Sequence, residues 1–394
     1  MSRLALSAWL LQTARVSSSH SAPAVESLKL LPETTKCLDG SPAGYYSSLN
    51  AASDVWVIYM QGGGNCYTVE DCSSRAKTRL GSSASWESTY SGQGAISRDC
   101  SFNPDFCEAN HVYVRYCSGD AHRGQRTEPY QGFYISGHNN FKAIVSDLLA
   151  STPLGSAARV LLTGCSAGGT GTLVNADTLT EMLPHVIVKA SPISGWFFPD
   201  STEDHPDNQS WVPVSMPEDF EAGKASDPAP FEAYWSESMQ WFDAALSAEC
   251  VAASGAHCMN APTAAAYVRT PLLISETMWD SSQLKHYNFK VSRPMSEPDR
   301  DWLAYYARAM QASTLKTGSR DGNGLFLPAC IDHCGHVGGG SGKQALIDGF
   351  RYFDVLADWF FDRGQMKHVH TDACSTTDGC AQKLLQCRGA SLAV

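Results

Sequence analysis

Five residues, Gly164-Cys165-Ser166-Ala167-Gly168, constrain this chain more than any others. They follow the apolar run Arg159-Val160-Leu161-Leu162-Thr163 and precede a long segment with helical potential. A G-x-S-x-G stretch between a buried strand and a helix is the sequence form of a nucleophile elbow, a tight turn that lifts one hydroxyl off the end of a sheet. Small flanking residues leave room for the strain of such a turn, and Gly169 extends them. Ser166 is therefore the candidate nucleophile, with the N-terminus of the following helix facing the reacting centre. Cys165 sits beside the raised position rather than on it, so it packs or pairs.

The rest of the chain supplies a matching frame. Residues 55–60, 111–116, 159–163, 185–189, 271–275 and 324–328 are apolar and β-rich enough to be buried strands. Helix-like stretches such as 141–150 and 170–183 lie between several of them. Alternation of this kind implies a mostly parallel sheet flanked by helices on both faces, that is, an α/β fold. The 394 residues contain no internal repeat. We read residues 25–394 as a single domain, with an insertion or lid around 197–260, where acidic residues, Pro and Trp replace clear periodicity, and a Cys-containing C-terminal tail.

Reacting groups in such a sheet belong at the carboxyl ends of strands. The loop Gln61-Gly62-Gly63-Gly64-Asn65 follows the first strong strand, and its glycines can let backbone N–H groups converge on an oxyanion. The same glycines also suit an ordinary flexible turn. Asp280 follows the strand ending near Ser275, in competition with Glu276 and Asp301. His333 follows the strand ending near Pro328, in competition with His336, His286, His368 and His370. The order Ser166, Asp280, His333 is that of α/β-hydrolases and differs from the two common serine-protease orders. The run Cys330-Ile331-Asp332-His333-Cys334-Gly335-His336 has zinc-binding residue types, but it is too crowded for paired ligands and no second knuckle lies nearby. No metal site is expected.

A net charge of −11 and the absence of a basic stripe argue against nucleic acid as a partner. No apolar run approaches the roughly 20 residues of a membrane span. Residues 1–24 have the form of a signal peptide: Arg3, then the apolar Leu4 to Leu11, then Ala22-Pro23-Ala24 as a cleavage site. A Ser-rich leader without that role is the alternative reading. Fourteen cysteines spread from Cys37 to Cys387 fit disulfides and an extracellular location. Asn208-Gln209-Ser210 is a glycosylation sequon.

Taken together, these residues resemble the pectin acetylesterase/Notum family of secreted serine carboxylesterases, from about Cys37 to about Arg363. The motifs that carry the resemblance are Cys37-Leu38-Asp39-Gly40-Ser41-Pro42, the glycine loop through Cys66, Asn103-Pro104-Asp105-Phe106, Val114-Arg115-Tyr116-Cys117 and the elbow. Cys330-Ile331-Asp332-His333-Cys334 and Asp358-Trp359-Phe360-Phe361-Asp362-Arg363 resemble the plant branch in particular. The resemblance implies Ser166 as nucleophile, His333 as base, Asp280 as acid, and the N–H groups of Gly63, Gly64 and Ala167 as oxyanion hole. The plant loop usually has Glu before the glycines and Trp after them. This chain has Gln61 and Asn65 there, which places Asn65 at the substrate mouth and leaves the sugar or acyl group open.

The resulting expectation is a monomeric, secreted esterase that removes acetyl groups from a pectin-like polysaccharide and requires no metal or organic cofactor. A Notum-type enzyme removing a longer acyl chain from a protein or lipid is one alternative. A non-catalytic glycan-binding protein that kept the fold is the other, and a complete Ser-Asp-His set speaks against it. An acidic protein is repelled by polygalacturonate, so either Arg115, Arg123 and Arg126 form a local positive rim or the polymer is less anionic.

Overall fold

The computed structural model describes residues 26–197, 228–286, 297–337 and 344–372. The signal-like leader, the Asn208 sequon, most of the 197–260 segment before residue 228 and the cysteine-bearing tail lie outside these residues. The strands are β1 Glu26–Leu30, β2 Gly44–Ser48, β3 Val55–Met60, β4 Thr89–Tyr90, β5 Asn110–Val114, β6 Arg159–Cys165, β7 Ile187–Ile193, β8 Leu273–Ser275, β9 Trp279–Asp280, β10 Gly324–Leu327, β11 Ile331–Asp332, β12 Leu346–Ile347, β13 Phe350–Arg351 and β14 Val369–Thr371. The helices are α1 Val69–Ala76, α2 Gly137–Ser151, α3 Ala167–Met182, α4 Pro228–Phe242, α5 Ala248–Ser254, α6 Ala261–Ala265, α7 Ser281–His286, α8 Glu297–Gly318 and α9 Tyr352–Phe360.

A ten-stranded sheet in the order β14-β10-β8-β7-β6-β3-β5-β2-β1-β4 forms the frame. From β14 to β5 every pairing is parallel, whereas β2, β1 and β4 add an antiparallel edge. The chain moves outward from β3 to β5, then returns to the other side of β3 for β6 and continues to β7 and β8. This reversal opens a crevice beyond the carboxyl ends of β3 and β6, the usual place for a ligand in an open α/β sheet.

Helices cover both faces. On α2, Phe141, Ile144, Val145 and Leu148 fall at i, i+3, i+4 and i+7 and are fully buried, in one core cluster with residues of β3, β5, β6, α3 and α8. Each such side chain contributes roughly 1.5–3 kcal/mol of burial. On the opposite face, α9 buries Tyr352, Phe353, Leu356, Trp359 and Phe360. The strand expected over 185–189 runs instead to Ile193 and includes Pro192, which lacks the N–H that an interior strand needs. Ala190 and Ser194 donate their N–H groups toward the β8 side, to Pro271 and Ser275, and the carbonyl of Leu273 between them accepts the Ser191 hydroxyl at 2.7 Å. The side chain thus replaces the missing backbone donor.

Disulfides join Cys37–Cys117, Cys66–Cys72, Cys100–Cys107, Cys165–Cys334 and Cys250–Cys258. Cys330 is also disulfide-bonded, and no cysteine among the described residues is free. The Cys165–Cys334 bridge spans 169 residues, and closing so long a loop stabilises the fold by on the order of 5 kcal/mol in the chain-entropy model.

Candidate active site

Ser166 stands between β6 and α3 with φ 61° and ψ −124°. A non-glycine residue at this φ is strained, and the surroundings over-determine it. Its N–H donates to Ile193 on β7 at 2.9 Å, and its carbonyl accepts the N–H of Thr170 at 2.9 Å. The glycines of the elbow let backbone meet backbone. A Cβ on Gly168 would lie 2.0 Å from the carbonyl of Met60, and one on Gly62 would lie 2.3 Å from that of Cys165. Only with glycine at both positions can α3 press against the end of β3.

The neighbouring glycine loop is fastened through its carbonyls. His122 Nε2 donates to Gln61 at 2.9 Å, Arg75 Nη2 to Gly63 at 2.9 Å, and the Tyr116 hydroxyl to Gly64 at 2.8 Å. The Gln61 side chain accepts the Tyr116 N–H at 3.0 Å. With Gly63 at φ 142° and Gly64 at φ 68°, the loop takes a course open to glycine. The N–H groups of Gly62, Gly63, Gly64 and Ala167 donate to no acceptor among the described residues. Backbone donors held from behind and left open in front suit an anion. Asn65 is half-buried at the end of this loop.

Asp280 and His333 come together through the short parallel pair β9–β11, in which Asp280 registers with Asp332. The fully buried Asp280 receives the N–H groups of Ser282 and Gln283 on Oδ1, both at 2.9 Å. Its Oδ2 lies 2.6 Å from His333 Nδ1. A proton on Nδ1 facing the carboxylate leaves Nε2 free to accept one. The Cys165–Cys334 bond then ties the residue before Ser166 to the residue after His333, with Cα atoms 6.0 Å apart. A ring nitrogen of His333 and the two sulfurs lie within 4.8 Å of one another. Both sulfurs are spent in the disulfide and Cys330 is bonded elsewhere, so the thiolates a zinc reading would need do not exist here.

Glu276 and three of the rival histidines have other partners, and His286 and Asp301 are placed only by their helices. Buried His336 turns Nε2 to Ser275 Oγ at 2.9 Å, and burial pushes its pKa down to about 3. His368 pairs with Asp358 at 2.9 Å, His370 meets the carbonyl of Lys367 at 2.6 Å, and His286 closes α7. Asp301 lies in α8, and Glu276 is fully buried with its oxygens on the N–H groups of Trp196 and Thr277.

The three arginines considered for a positive rim have partners within the protein. Arg115 stacks over Trp86 at 4.7 Å, Arg123 is only 6% exposed and donates to the carbonyl of Met259 at 2.8 Å, and Arg126 donates to that of Trp241 at 2.9 Å. Arg123 and Arg126 thus fasten loops through carbonyls, and Arg115 packs on a ring. Sequence reasoning also missed Arg75, Tyr116 and His122 as the fasteners of the glycine loop. Nothing local in the sequence marks side chains that act on a loop many residues away. A separate cavity of about 440 Å³ between α3, α5 and α6 contains none of the candidate residues.

A raised serine at the carboxyl end of a parallel strand, in a helix-flanked sheet, defines the molecule as α/β-hydrolase-like. The solved structure of the Wnt deacylase Notum from Drosophila superposes with a TM-score of 0.73, covering 90% of this chain and 97% of that one at 24% identity, and bears on the fold alone. The family model for pectinacetylesterase matches residues 19–381, and the chain belongs to that family of carboxylic ester hydrolases. Pectin acetylesterase 5 of Arabidopsis thaliana is 27% identical over 361 residues, 84% of this chain and 79% of the relative. The palmitoleoyl-protein carboxylesterase NOTUM of Homo sapiens is 30% identical over 317 residues, 77% of this chain and 60% of the relative.

Proposed function

We propose that this chain is a secreted serine carboxylesterase that removes acetyl groups from an extracellular, pectin-like polysaccharide, with Ser166 as nucleophile, His333 as base and Asp280 as the acid that orients it. The observation that carries this reading is the Asp280–His333 pair at 2.6 Å, tied by the Cys165–Cys334 bridge to the strained Ser166 elbow. His333 Nε2 takes the proton of Ser166 Oγ as the oxygen attacks the ester carbonyl, and Asp280 stabilises the imidazolium that forms. The tetrahedral oxyanion meets the N–H groups of Gly63, Gly64 and Ala167, each donor contributing about 3–4 kcal/mol to barrier lowering. Collapse expels the alcohol, which takes the proton back from His333. Water, activated by the same imidazole, then releases the acid and frees Ser166.

The number of disulfides supports secretion, since such bonds persist in oxidising compartments. Within this reading the protein acts as a monomer and a single domain, residues 1–24 are removed as a signal peptide, and Asn208 carries a glycan. The second reading, a Notum-type enzyme acting on a longer acyl chain, is favoured by the slightly higher identity to NOTUM than to the plant enzymes, 30% against 27%. Esters of one chromogenic alcohol with acetyl to octanoyl chains separate the two. The expected result is the highest kcat/KM with acetyl; a value that climbs with chain length retires the acetylesterase reading and installs the other.

The glycine loop gives a further expected result. Burial pushes the pKa of His122 down, so its imidazole is neutral and bonds Gln61 as an uncharged donor. His122→Phe keeps a ring against Tyr116 and Gly171 but removes that donor. Turnover should fall about tenfold with little change in KM, because the oxyanion donors lose their fixed aim. An unchanged kcat means the bond does not set the loop.

A further inference from the structure

A second carboxyl lies behind the Asp280–His333 pair. Glu276 directly follows β8 and is 0% exposed, as is Asp280. Its Oε2 accepts the N–H of Trp196 at 3.1 Å, its Oε1 accepts the N–H of Thr277 at 2.9 Å, and its carboxyl interacts with that of Asp280. Two buried carboxyls in contact cannot both be ionised, so one of them holds a proton. Asp280 is the anion, because the N–H groups of Ser282, Gln283 and His333 all point at it. Burial and the Asp280 charge push Glu276 well above the usual carboxylate range.

No Lys or Arg side chain among the described residues bonds either carboxyl. Asp332, the last residue of β11, and His336, on the turn after it, are titratable groups beside the Asp280–His333 pair. Burial raises the pKa of Asp332 and keeps His336 neutral. Arg308 on α8 is exposed. A carboxylate offers about four lone-pair sites, and three on Asp280 are already filled. Glu276 is placed to supply the last donor.

We propose that Glu276 is a positioning residue of the triad: its neutral carboxyl donates a hydrogen bond to Asp280 and fixes the carboxylate that orients His333. The inference rests on the triad reading above. The proton stays on Glu276 throughout the cycle, so no step of the reaction changes its balance.

Two variants and one spectrum test it. Glu276→Ala should lower kcat about tenfold to a hundredfold with KM little changed. It should also move the acid limb of kcat/KM to higher pH, since an Asp280 anion with fewer donors holds the His333 imidazolium more firmly. Glu276→Gln, whose amide N–H restores the donor while giving up one accepted backbone N–H, should recover kcat above the Glu276→Ala level and move the limb part of the way back. Equal losses in both variants with an unmoved limb would show a packing role only and overturn the proposal. The infrared difference between wild type and Glu276→Gln at neutral pH should contain the C=O stretch of a protonated carboxylic acid. Its absence overturns the proposal even where Glu276→Ala does not fold, and leaves the triad standing. A band that is present, together with full ester turnover in a Ser166→Ala variant, would instead retire the triad and with it the positioning role.

Discussion

Ser166→Ala should lower ester turnover by about five to six orders of magnitude and leave the melting temperature nearly unchanged. The size of the loss follows from the division of labour: without Oγ there is no acyl-enzyme, and what survives is the smaller acceleration given by the oxyanion donors and by binding alone. Stability is spared because Ser166 Oγ makes no hydrogen bond to another described residue, and alanine inherits the same strained backbone. A serine-directed phosphonate should label the wild type at Ser166 and should not label the variant. Labelling of any other residue removes Ser166 from its proposed role, and with it the distinction from a glycan-binding protein that kept only the fold.

Asp280→Asn is the second large effect. The replacement is nearly isosteric and can still accept the N–H groups of Ser282 and Gln283, so the α7 start should hold. Its amide, however, presents a donor to His333 Nδ1, 2.6 Å away in the native pair. The imidazole then carries its proton on Nε2, where it cannot take one from serine. A loss of about 10⁴ in kcat is expected, measured beside circular dichroism that matches the wild type. A loss smaller than tenfold would move the acid's role to another carboxyl, with Glu276 first in line.

What the sequence made legible was whatever repeats a local pattern. The parallel strands β3, β5, β6, β8 and β10 were visible as apolar runs, and the elbow as small residues at fixed spacing. The antiparallel edge was not: β1 and β2 read Glu-Ser-Leu-Lys-Leu and Gly-Tyr-Tyr-Ser-Ser, without the apolar continuity of a strand buried on both faces. The end of β7 was hidden because Pro192 argues against a strand until Ser191 is seen to donate in its place. Asp280 and His333 could be shortlisted from their place after strands, yet separating them from Glu276 and His336 needed the β9–β11 register, a pairing of residues some fifty positions apart. The partners of Arg115, Arg123 and Arg126 were hidden for the opposite reason. A guanidinium looks like a surface charge in sequence, whereas its planar fork suits it equally to tying down carbonyls and stacking on rings.

The bridge from Cys165 to Cys334 gives the catalytic centre a time of birth. Ser166, the proposed nucleophile, is synthesised 167 residues before His333, the proposed base, as their numbers alone dictate, and domains are made from the N-terminus onward. The elbow therefore emerges early and waits unarmed while α3 through β10 are translated. It gains its proposed partner only when the β11 turn arrives. Under the proposed function, a site that needs both residues is therefore completed late in synthesis, after most of the sheet has been made.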